Sequence, residues 1–83
     1  MDVTQFMEEV MDTVGDRAND YGDAKQSFSR IAEMWSAYKG VYFTHADVAA
    51  MMIMLKVSRL SNDPSKKDSW IDIAGYAALG GSM

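Results

Sequence analysis

A chain of 83 residues has room for one domain, residues 1–83, with a modest core, and its hydrophobic fraction of 48% is too high for a disordered chain. The net charge of -4 disfavours binding to duplex nucleic acid or to an anionic membrane surface, and the lack of cysteine excludes disulfides and thiolate catalysis. The acidic N-terminus is unlike a signal peptide and no apolar run approaches the roughly 20 residues of a membrane span, so we expect a cytoplasmic protein.

The first predicted helix spans residues 3–18, where apolar side chains recur at helical spacing and acidic side chains occupy the opposite face. Asp2 and Gln5 have the spacing of an N-terminal capping pair. Residues 19–23 are typical of a turn, in which Gly22 can take a positive φ. The apolar positions of this helix are Val3, Phe6, Met7, Val10, Val14 and Ala18.

The second predicted helix spans residues 25–39 and ends at Gly40, which is the usual residue for a C-terminal cap. Its apolar side chains again recur at helical spacing, so one face is expected to pack against the rest of the domain. These side chains are Phe28, Ile31, Ala32, Trp35 and Tyr38.

The third predicted helix begins with a capping box formed by Thr44 and Asp47 and runs to about residue 61. Between Val48 and Val57, every residue except Lys56 is apolar, so this helix has no wide polar face. Such a helix is normally central in its fold or shared between subunits. Because a domain of this size cannot easily enclose a helix, we expect a homo-oligomer in which copies of the chain cover it.

The fourth predicted helix follows a stop at residues 62–65 that includes Pro64. It is expected to begin after Asp68 or Ser69, with Ser69 and Asp72 at capping-box spacing, and to end at residues 80–81, which are both glycine. Neither a repeat nor an alternating strand pattern is present. The sequence therefore predicts an all-α compact bundle of about four helices.

Lys56 is the most informative single residue, because an ammonium group inside an apolar helix costs several kcal/mol to desolvate unless it is paired or reaches water. One interpretation is that Lys56 and Arg59 extend along the bundle surface into solvent. The other is that they form a two-cation patch for a carboxylate or a phosphate.

On the fourth helix, Asp68, Asp72 and Tyr76 recur every four residues on one face. Asp72 has three interpretations: a capping residue, a structural partner of Lys56 or Arg59, or a contact to a ligand or metal. Two nearby carboxylates such as Asp68 and Asp72 are suited to Mg²⁺, which prefers oxygen ligands. Two motifs for catalysis are absent, namely a nucleophile–base–acid set and a glycine-rich phosphate loop.

Four parts of the sequence carry a resemblance to a known family. They are residues 20–23, which read Asp-Tyr-Gly-Asp; Phe28, Ile31 and Trp35; residues 47–56 with 59–60; and residues 68–77, which read Asp-Ser-Trp-Ile-Asp-Ile-Ala-Gly-Tyr-Ala. They resemble a small phage and prophage family of unknown function that is sometimes labelled nucleotide-modification-associated. The resemblance covers about residues 21–79. In a phage setting, it implies a role such as sequestering a host cyclic-nucleotide or ADP-ribose-type defence signal.

The fourth helix is also similar, more remotely, to the last carboxylate-bearing helix of MazG-like all-α nucleoside triphosphate pyrophosphatases. In that family two helices present acidic pairs that hold Mg²⁺ against the phosphates, and the site is assembled in an oligomer. Asp68 and Asp72 match one pair, whereas the helix that should carry the other pair has Lys56 and Arg59. One acidic pair with two cations suits an anion better than it suits two metal ions.

Three functions follow as hypotheses. The leading one is a non-catalytic protein that binds a nucleotide or nucleotide-derived signal in an intersubunit pocket, with cations on phosphate, an aspartate on ribose or base, and an aromatic side chain stacked on the base. The alternatives are a Mg²⁺-dependent MazG-like pyrophosphatase that uses Asp68 and Asp72 as metal ligands, and a protein-interaction module that docks through its methionine-rich third helix. The candidate ligand-binding residues are Lys56, Arg59, Asp68, Asp72, Tyr76, Trp35 and Tyr21.

Overall fold

The computed structural model describes all 83 residues and contains four α-helices and no strands. This confirms the predicted all-α class and the number of helices. The molecule measures 43 × 29 × 20 Å, and none of its helices is both long enough and apolar enough to cross a membrane. The helices are α1 (Val3–Tyr21), α2 (Ala24–Lys39), α3 (His45–Asn62) and α4 (Lys67–Ser82).

Local hydrogen bonds fix three helix ends where the sequence predicted them. At the start of α1, the Gln5 N–H donates to the Asp2 carboxylate at 2.8 Å, and the Gln5 side chain accepts from the Asp2 N–H at 3.0 Å. Thr44 and Asp47 form the same reciprocal pair at the start of α3. Gly40 ends α2 in the left-handed region, with φ of 68°. A side-chain N-cap stabilises a helix by about 1 kcal/mol.

α1 continues one turn beyond the predicted end at residue 18. The helix stops at Gly22, whose φ is 80° and whose N–H donates to the Ala18 carbonyl at 2.9 Å. The predicted boundary was wrong because residues 19 and 20, read as part of a turn, lie exposed in the last helical turn. The extra turn carries Tyr21 on the helix itself.

α4 begins at Lys67, earlier than predicted, and the predicted capping pair of Ser69 and Asp72 is wrong. Lys66 is the N-cap and makes no side-chain capping bond, while Ser69 lies inside the first helical turn and is buried. The helix starts early because the preceding turn is already closed: the Lys66 N–H donates to the Asp63 carbonyl at 3.2 Å. The Ser-x-x-Asp spacing therefore falls within the helix.

The other end of α4 passes through both glycines at which it was predicted to stop and ends at Ser82. A Cβ atom added at Gly80 would lie 3.0 Å from the Ala49 Cβ. This distance is shorter than normal side-chain packing, so glycine allows α3 and α4 to approach closely. Gly80 therefore serves helix packing, not helix termination.

α3 and α4 form the most extensive helix pair of the bundle. α1 packs mainly against α4 and α2 packs mainly against α3, whereas α1 and α2 make little contact with each other. Because the two N-terminal helices rest on different partners, the bundle is open between them.

The core lies between α2 and α3, where Phe28, Ala32, Val48 and Ala49 form one buried cluster. The connection between these helices folds back onto it through Phe43, whose ring packs edge-on against an α2 tryptophan. Burial of these apolar side chains supplies most of the favourable free energy of folding. The partly buried residues around the cluster are Ile31, Trp35, Phe43, Met52, Tyr76, Leu79 and Met83.

One face of α3 is exposed to solvent in a single copy of the chain. This is expected, because a domain of this size cannot enclose a helix that is apolar on all sides. Val48 and Ala49 are buried, but Met54, Leu55 and Val57 are exposed by 61%, 44% and 49%. We refer to the last three as the α3 strip. The predicted homo-oligomer, in which copies cover this helix, stays a prediction.

Candidate functional site

A groove of about 330 Å³ opens between α1, α2 and α4. It lies where the two N-terminal helices separate over α4, and its lining is mostly apolar with few polar groups. Grooves of this character are the usual setting for small-molecule binding. The lining residues are Thr13, Val14, Arg17, Ala18, Tyr21, Gly22, Ala24, Ser27, Phe28, Ile31, Ile71, Asp72, Gly75, Tyr76 and Leu79.

Aromatic rings from three helices line this groove: Tyr21 of α1, Phe28 of α2 and Tyr76 of α4. Phe28 is buried and Tyr76 half-buried, and their ring centroids are 6.1 Å apart with an interplanar angle of 35°. Tyr21 is exposed at the end of α1. The groove therefore offers an aromatic surface formed by Phe28 and Tyr76, with Tyr21 exposed to solvent beside it, an arrangement suited to a flat apolar ligand.

The width of the groove depends on Gly75, which is buried in α4 beneath α1. A Cβ atom added there would lie 3.4 Å from Val14 Cγ2, so α1 packs directly on the α4 backbone at this point. Val10, one turn before Val14 on the same face of α1, is almost fully buried. α1 is thus held against α4, which sets the position of the groove wall it provides.

The charged edge of the groove is centred on Asp72 of α4. Its carboxylate lies 3.0 Å from the Lys56 Nζ of α3 and 3.8 Å from the Arg17 guanidinium of α1. The Lys56 and Asp72 side chains are each 16% exposed, whereas Arg17 is 54% exposed. The short, sheltered contact with Lys56 neutralises the Asp72 carboxylate. Arg17, which is farther from Asp72 and half exposed, therefore keeps a positive charge that a ligand in the groove can reach.

The structure therefore brings three of the sequence-predicted residues to the groove: Tyr21, Asp72 and Tyr76. Lys56 does not line the groove, but it contacts the groove through Asp72. This ion pair is one of the interpretations that the sequence left open for both residues. It joins α3 to α4 beneath the charged edge.

The remaining predicted residues lie elsewhere. Arg59 lines a second cleft of about 370 Å³ at the α3–α4 connection, and all five residues of its lining are polar or charged. Asp68 is exposed in the first turn of α4 and lines neither cavity, and Trp35 packs edge-on against Phe43 at the core. Lys56 lines neither the groove nor the second cleft, and no group of three or more histidine, aspartate or glutamate side chains is placed to share a metal ion.

Arg17 is the groove residue that the sequence interpretation missed, because the polar face of α1 was read as plain solvent-exposed surface. A signal was nevertheless present. Arg17 is the one basic residue of α1, and it follows Val10 and Val14 at seven and three residues, on the stripe that faces α4. A basic residue that continues an apolar stripe is a candidate for pairing with an acid on the helix it faces.

The chain is similar to known phage proteins. A family model described as a domain of unknown function, DUF6378, matches residues 5–83. The Gene 55 protein of Mycobacterium phage L5 is 49% identical over 80 residues, which are 95% of this chain and 50% of the phage protein. The Gene 55 protein of Mycobacterium phage D29 is 36% identical over 63 residues, which are 76% of this chain and 42% of that protein.

The chain thus spans about half the length of the curated relatives it matches. No solved structure matches it. The remote similarity to MazG-like pyrophosphatases and the link to nucleotide modification stay predictions.

Proposed function

The chain belongs to the DUF6378 family of phage proteins, and we propose that it is a non-catalytic binding protein for a nucleotide or nucleotide-derived small molecule. The proposed site is the groove between α1, α2 and α4. One observation carries the proposal: an aromatic-lined groove meets, at one edge, an arginine whose positive charge is not needed to neutralise its acidic neighbour. A nucleotide has the matching chemistry, namely a flat base and an anionic phosphate.

In the proposed complex, the base lies against the aromatic surface formed by Phe28 and Tyr76, and the phosphate binds the Arg17 guanidinium. Asp72, held in place by Lys56, accepts a hydrogen bond from a ribose hydroxyl or a base amino group. The volume of about 330 Å³ is near the lower end of the range for small-molecule sites, about 300–1,000 Å³, so the groove suits a ligand of mononucleotide size.

The composition of the groove supports binding over Mg²⁺-dependent hydrolysis. Asp72 is the one carboxylate in its lining, and that carboxylate is already paired with two cations. Metal-assisted phosphate hydrolysis uses several carboxylates around the metal ions. Asp68, the second ligand that a MazG-like site would require, does not line the groove, so the donor set does not fit the ion. A binder without turnover acts by sequestering its ligand.

We also propose that the protein is a homo-oligomer in which the α3 strip is covered by another copy. The support is the exposure of Met54, Leu55 and Val57 in a stretch, residues 48–57, whose one polar residue is Lys56. The groove itself is formed within one chain, whereas the sequence-based hypothesis placed the pocket between subunits. Nucleotide binding and assembly are therefore separate properties that separate experiments test.

A thermal-shift panel of nucleotides followed by analysis of the recovered ligand tests the proposed function. A ligand at 100 times its dissociation constant stabilises a protein by roughly 2.7 kcal/mol, which raises the Tm of a domain of this size by about 10 °C or more. We expect a mononucleotide to raise the Tm and to be recovered unchanged after heat denaturation in the presence of Mg²⁺. Ribose 5-phosphate, which lacks the base, should give a much smaller shift.

Two results would contradict the proposal. Release of phosphate or pyrophosphate that Asp72→Ala abolishes would identify an enzyme. A panel in which no nucleotide changes the Tm would favour the third hypothesis, a protein-interaction module that docks through α3.

A further inference from the structure

A second cleft lies at the N-terminal end of α4, away from the groove. Its lining contains no hydrophobic residue, and it shares no lining residue with the groove. Lys66, the N-cap of α4, and Ser69, its third residue, form one side, and Arg59 of α3 lies on the other. All five lining residues are polar or charged, so the cleft can bind a ligand through hydrogen bonds and ion pairs.

Ser69 supplies the first indication of a ligand. The residue is only 5% exposed, yet its Oγ makes no hydrogen bond within the chain. No fully enclosed side-chain oxygen or nitrogen in the structure lacks a partner, so the Ser69 Oγ must open onto the cleft that the residue lines. A hydroxyl that has no partner in the chain and opens onto the cleft can donate to an acceptor group bound there.

The charges of the cleft identify the kind of acceptor. Arg59 and Lys66 both line it, and neither forms an ion pair within the chain. The cleft also lies at the positive end of the α4 dipole, where no side chain caps the helix. The N–H groups of Lys67 and Asp68 therefore have no acceptor in the chain. Two cations that form no ion pair, a hydroxyl without a partner in the chain and an uncapped helix N-terminus together favour an oxyanion.

Asp63 is the acidic residue in the lining, and its carboxylate is already committed to the turn. It accepts the Ser65 N–H at 3.1 Å and the Ser65 hydroxyl at 2.7 Å. The cleft therefore keeps an excess of one positive charge. The two positive side chains come from α3, through Arg59, and from the N-cap of α4, Lys66.

We propose that this cleft is a binding site for one phosphate group. The Arg59 guanidinium and the Lys66 ammonium bind its oxygens, and the Ser69 hydroxyl donates to one of them. In this proposal Arg59 binds a phosphate, as the predicted two-cation patch did, but it does so in a cleft that Lys56 does not line. It does not depend on the groove or on the function proposed for it.

Titration of the full chain with inorganic phosphate, followed by two-dimensional ¹H–¹⁵N NMR, tests this site. We expect saturable shifts of the backbone amides of residues 66–69, with no such shifts when chloride is added to the same ionic strength. Arg59→Ala and Ser69→Ala should each weaken phosphate binding by at least about tenfold. Arg59 is exposed, so its replacement leaves the fold intact even if Ser69→Ala disturbs local packing.

Two control variants separate this site from other sources of phosphate binding. Arg30→Ala removes an exposed arginine that lines neither cavity and should leave the titration unchanged. Arg17→Ala, which alters the groove, should also leave the shifts at residues 66–69 unchanged. Shifts that chloride reproduces, or that persist in Arg59→Ala, would overturn the proposal.

The source of the phosphate is decided by a parallel titration with a 5′-mononucleotide. Shifts at residues 66–69 that disappear in Arg59→Ala would assign the phosphate group of a nucleotide to the cleft. Shifts at these residues with inorganic phosphate alone would assign the free anion. Each result supports a phosphate site, whereas the absence of shifts with both ligands would overturn it.

Discussion

The ion pair between Lys56 and Asp72 links α3 to α4 in a sheltered position, with 3.0 Å between Nζ and the carboxylate and 16% of each side chain exposed. Both groups lose most of their hydration in the folded state, and each compensates for the loss of the other. Removing one partner leaves the other desolvated and unpaired. The intact pair therefore contributes little to the free energy of unfolding, whereas removal of one partner lowers that free energy substantially.

Lys56→Met, which keeps the long apolar stem, is expected to lower the free energy of unfolding by about 2–4 kcal/mol, since Asp72 retains only the longer contact with Arg17. Lys67→Met is the matched control, because the Lys67–Glu9 pair lies at 3.1 Å but is much more exposed. Lys67→Met should lower the free energy of unfolding by less than about 1 kcal/mol. Urea unfolding measures both, and equal losses in the two variants would show that burial of the Lys56 pair is unimportant.

Asp63 provides a prediction about pH. The Ser65 hydroxyl, and next to it the Ser65 backbone N–H, hold the pKa of Asp63 below its usual value. Because the folded state favours the ionised carboxylate, this contribution to stability is present above the ordinary pKa and is lost as the pH falls through the lowered one. Ser65→Ala should raise the pKa of Asp63, which carboxyl ¹³C NMR measures, and an unchanged pKa would show that the hydroxyl has no role.

At the level of single residues, the sequence predicted that Lys56 needs a partner and that Asp72 was a candidate for it. The position of Arg17 on the apolar stripe of α1 was a signal in the sequence, but its pairing with Asp72 could not be predicted, because that requires knowing that α1 packs against α4. The sequence also placed Arg59 beside Lys56 from their spacing on one helix, whereas the packing of α4 directs them to different surroundings. Spacing along one helix predicts neighbours on that helix, but it does not predict which cavity each side chain reaches.

Among the elements, α3 and α4 form the most extensive contact of the bundle, and this contact depends on the absence of a side chain at Gly80. The position of Gly80 leaves only 3.0 Å between a hypothetical Cβ and the Ala49 Cβ, whereas Gly81 has no neighbouring atom within 4 Å. Ala49 Cβ is attached directly to the α3 backbone. It cannot move away without moving the helix.

Gly80→Ala and Gly81→Ala are a matched pair for this contact. Both replacements favour helix by up to about 1 kcal/mol, with less gain near a helix end. Gly81→Ala should therefore be neutral or stabilising, and Gly80→Ala should be less stable than Gly81→Ala by about 1–2 kcal/mol. The difference is measured by thermal unfolding, and equal stabilities would show that the helices separate freely at this point.

The helices themselves were largely predictable, since apolar periodicity and the capping pairs at Asp2 and Thr44 lie in the local sequence. The start of α4 was not. The predicted signal was the capping spacing of Ser69 and Asp72. Both residues lie inside the helix instead, where Ser69 is buried and Asp72 pairs with Lys56 of α3. A capping pattern of this kind predicts a helix end only when its side chains are not already used in contacts with other helices.

For the whole molecule, the α3 strip bears on assembly. Met54, Leu55 and Val57 expose apolar surface that a second copy would remove from water. In the proposed homo-oligomer, a charge introduced at the centre of this strip is desolvated against an apolar partner surface. The same charge at an exposed position outside an interface has little effect.

Leu55→Glu should therefore shift native mass spectra and sedimentation toward the monomer. Met11→Glu, at an exposed methionine of α1, should leave the mass distribution unchanged. A wild-type protein that sediments as a monomer at concentrations well above those used for binding would contradict the proposed assembly. It would leave the groove intact, because the groove is formed by one chain.

The groove is tested most directly by isothermal titration of the wild-type protein and Arg17→Ala with a 5′-mononucleotide and with its nucleoside. If Arg17 binds the phosphate, Arg17→Ala should weaken nucleotide binding by about 10–100-fold, to the affinity of the nucleoside, and leave nucleoside binding nearly unchanged. Arg30→Ala should match the wild type for both ligands. Equal losses for nucleotide and nucleoside, or no loss for either, would contradict a phosphate-binding role for Arg17 and the function proposed for the groove.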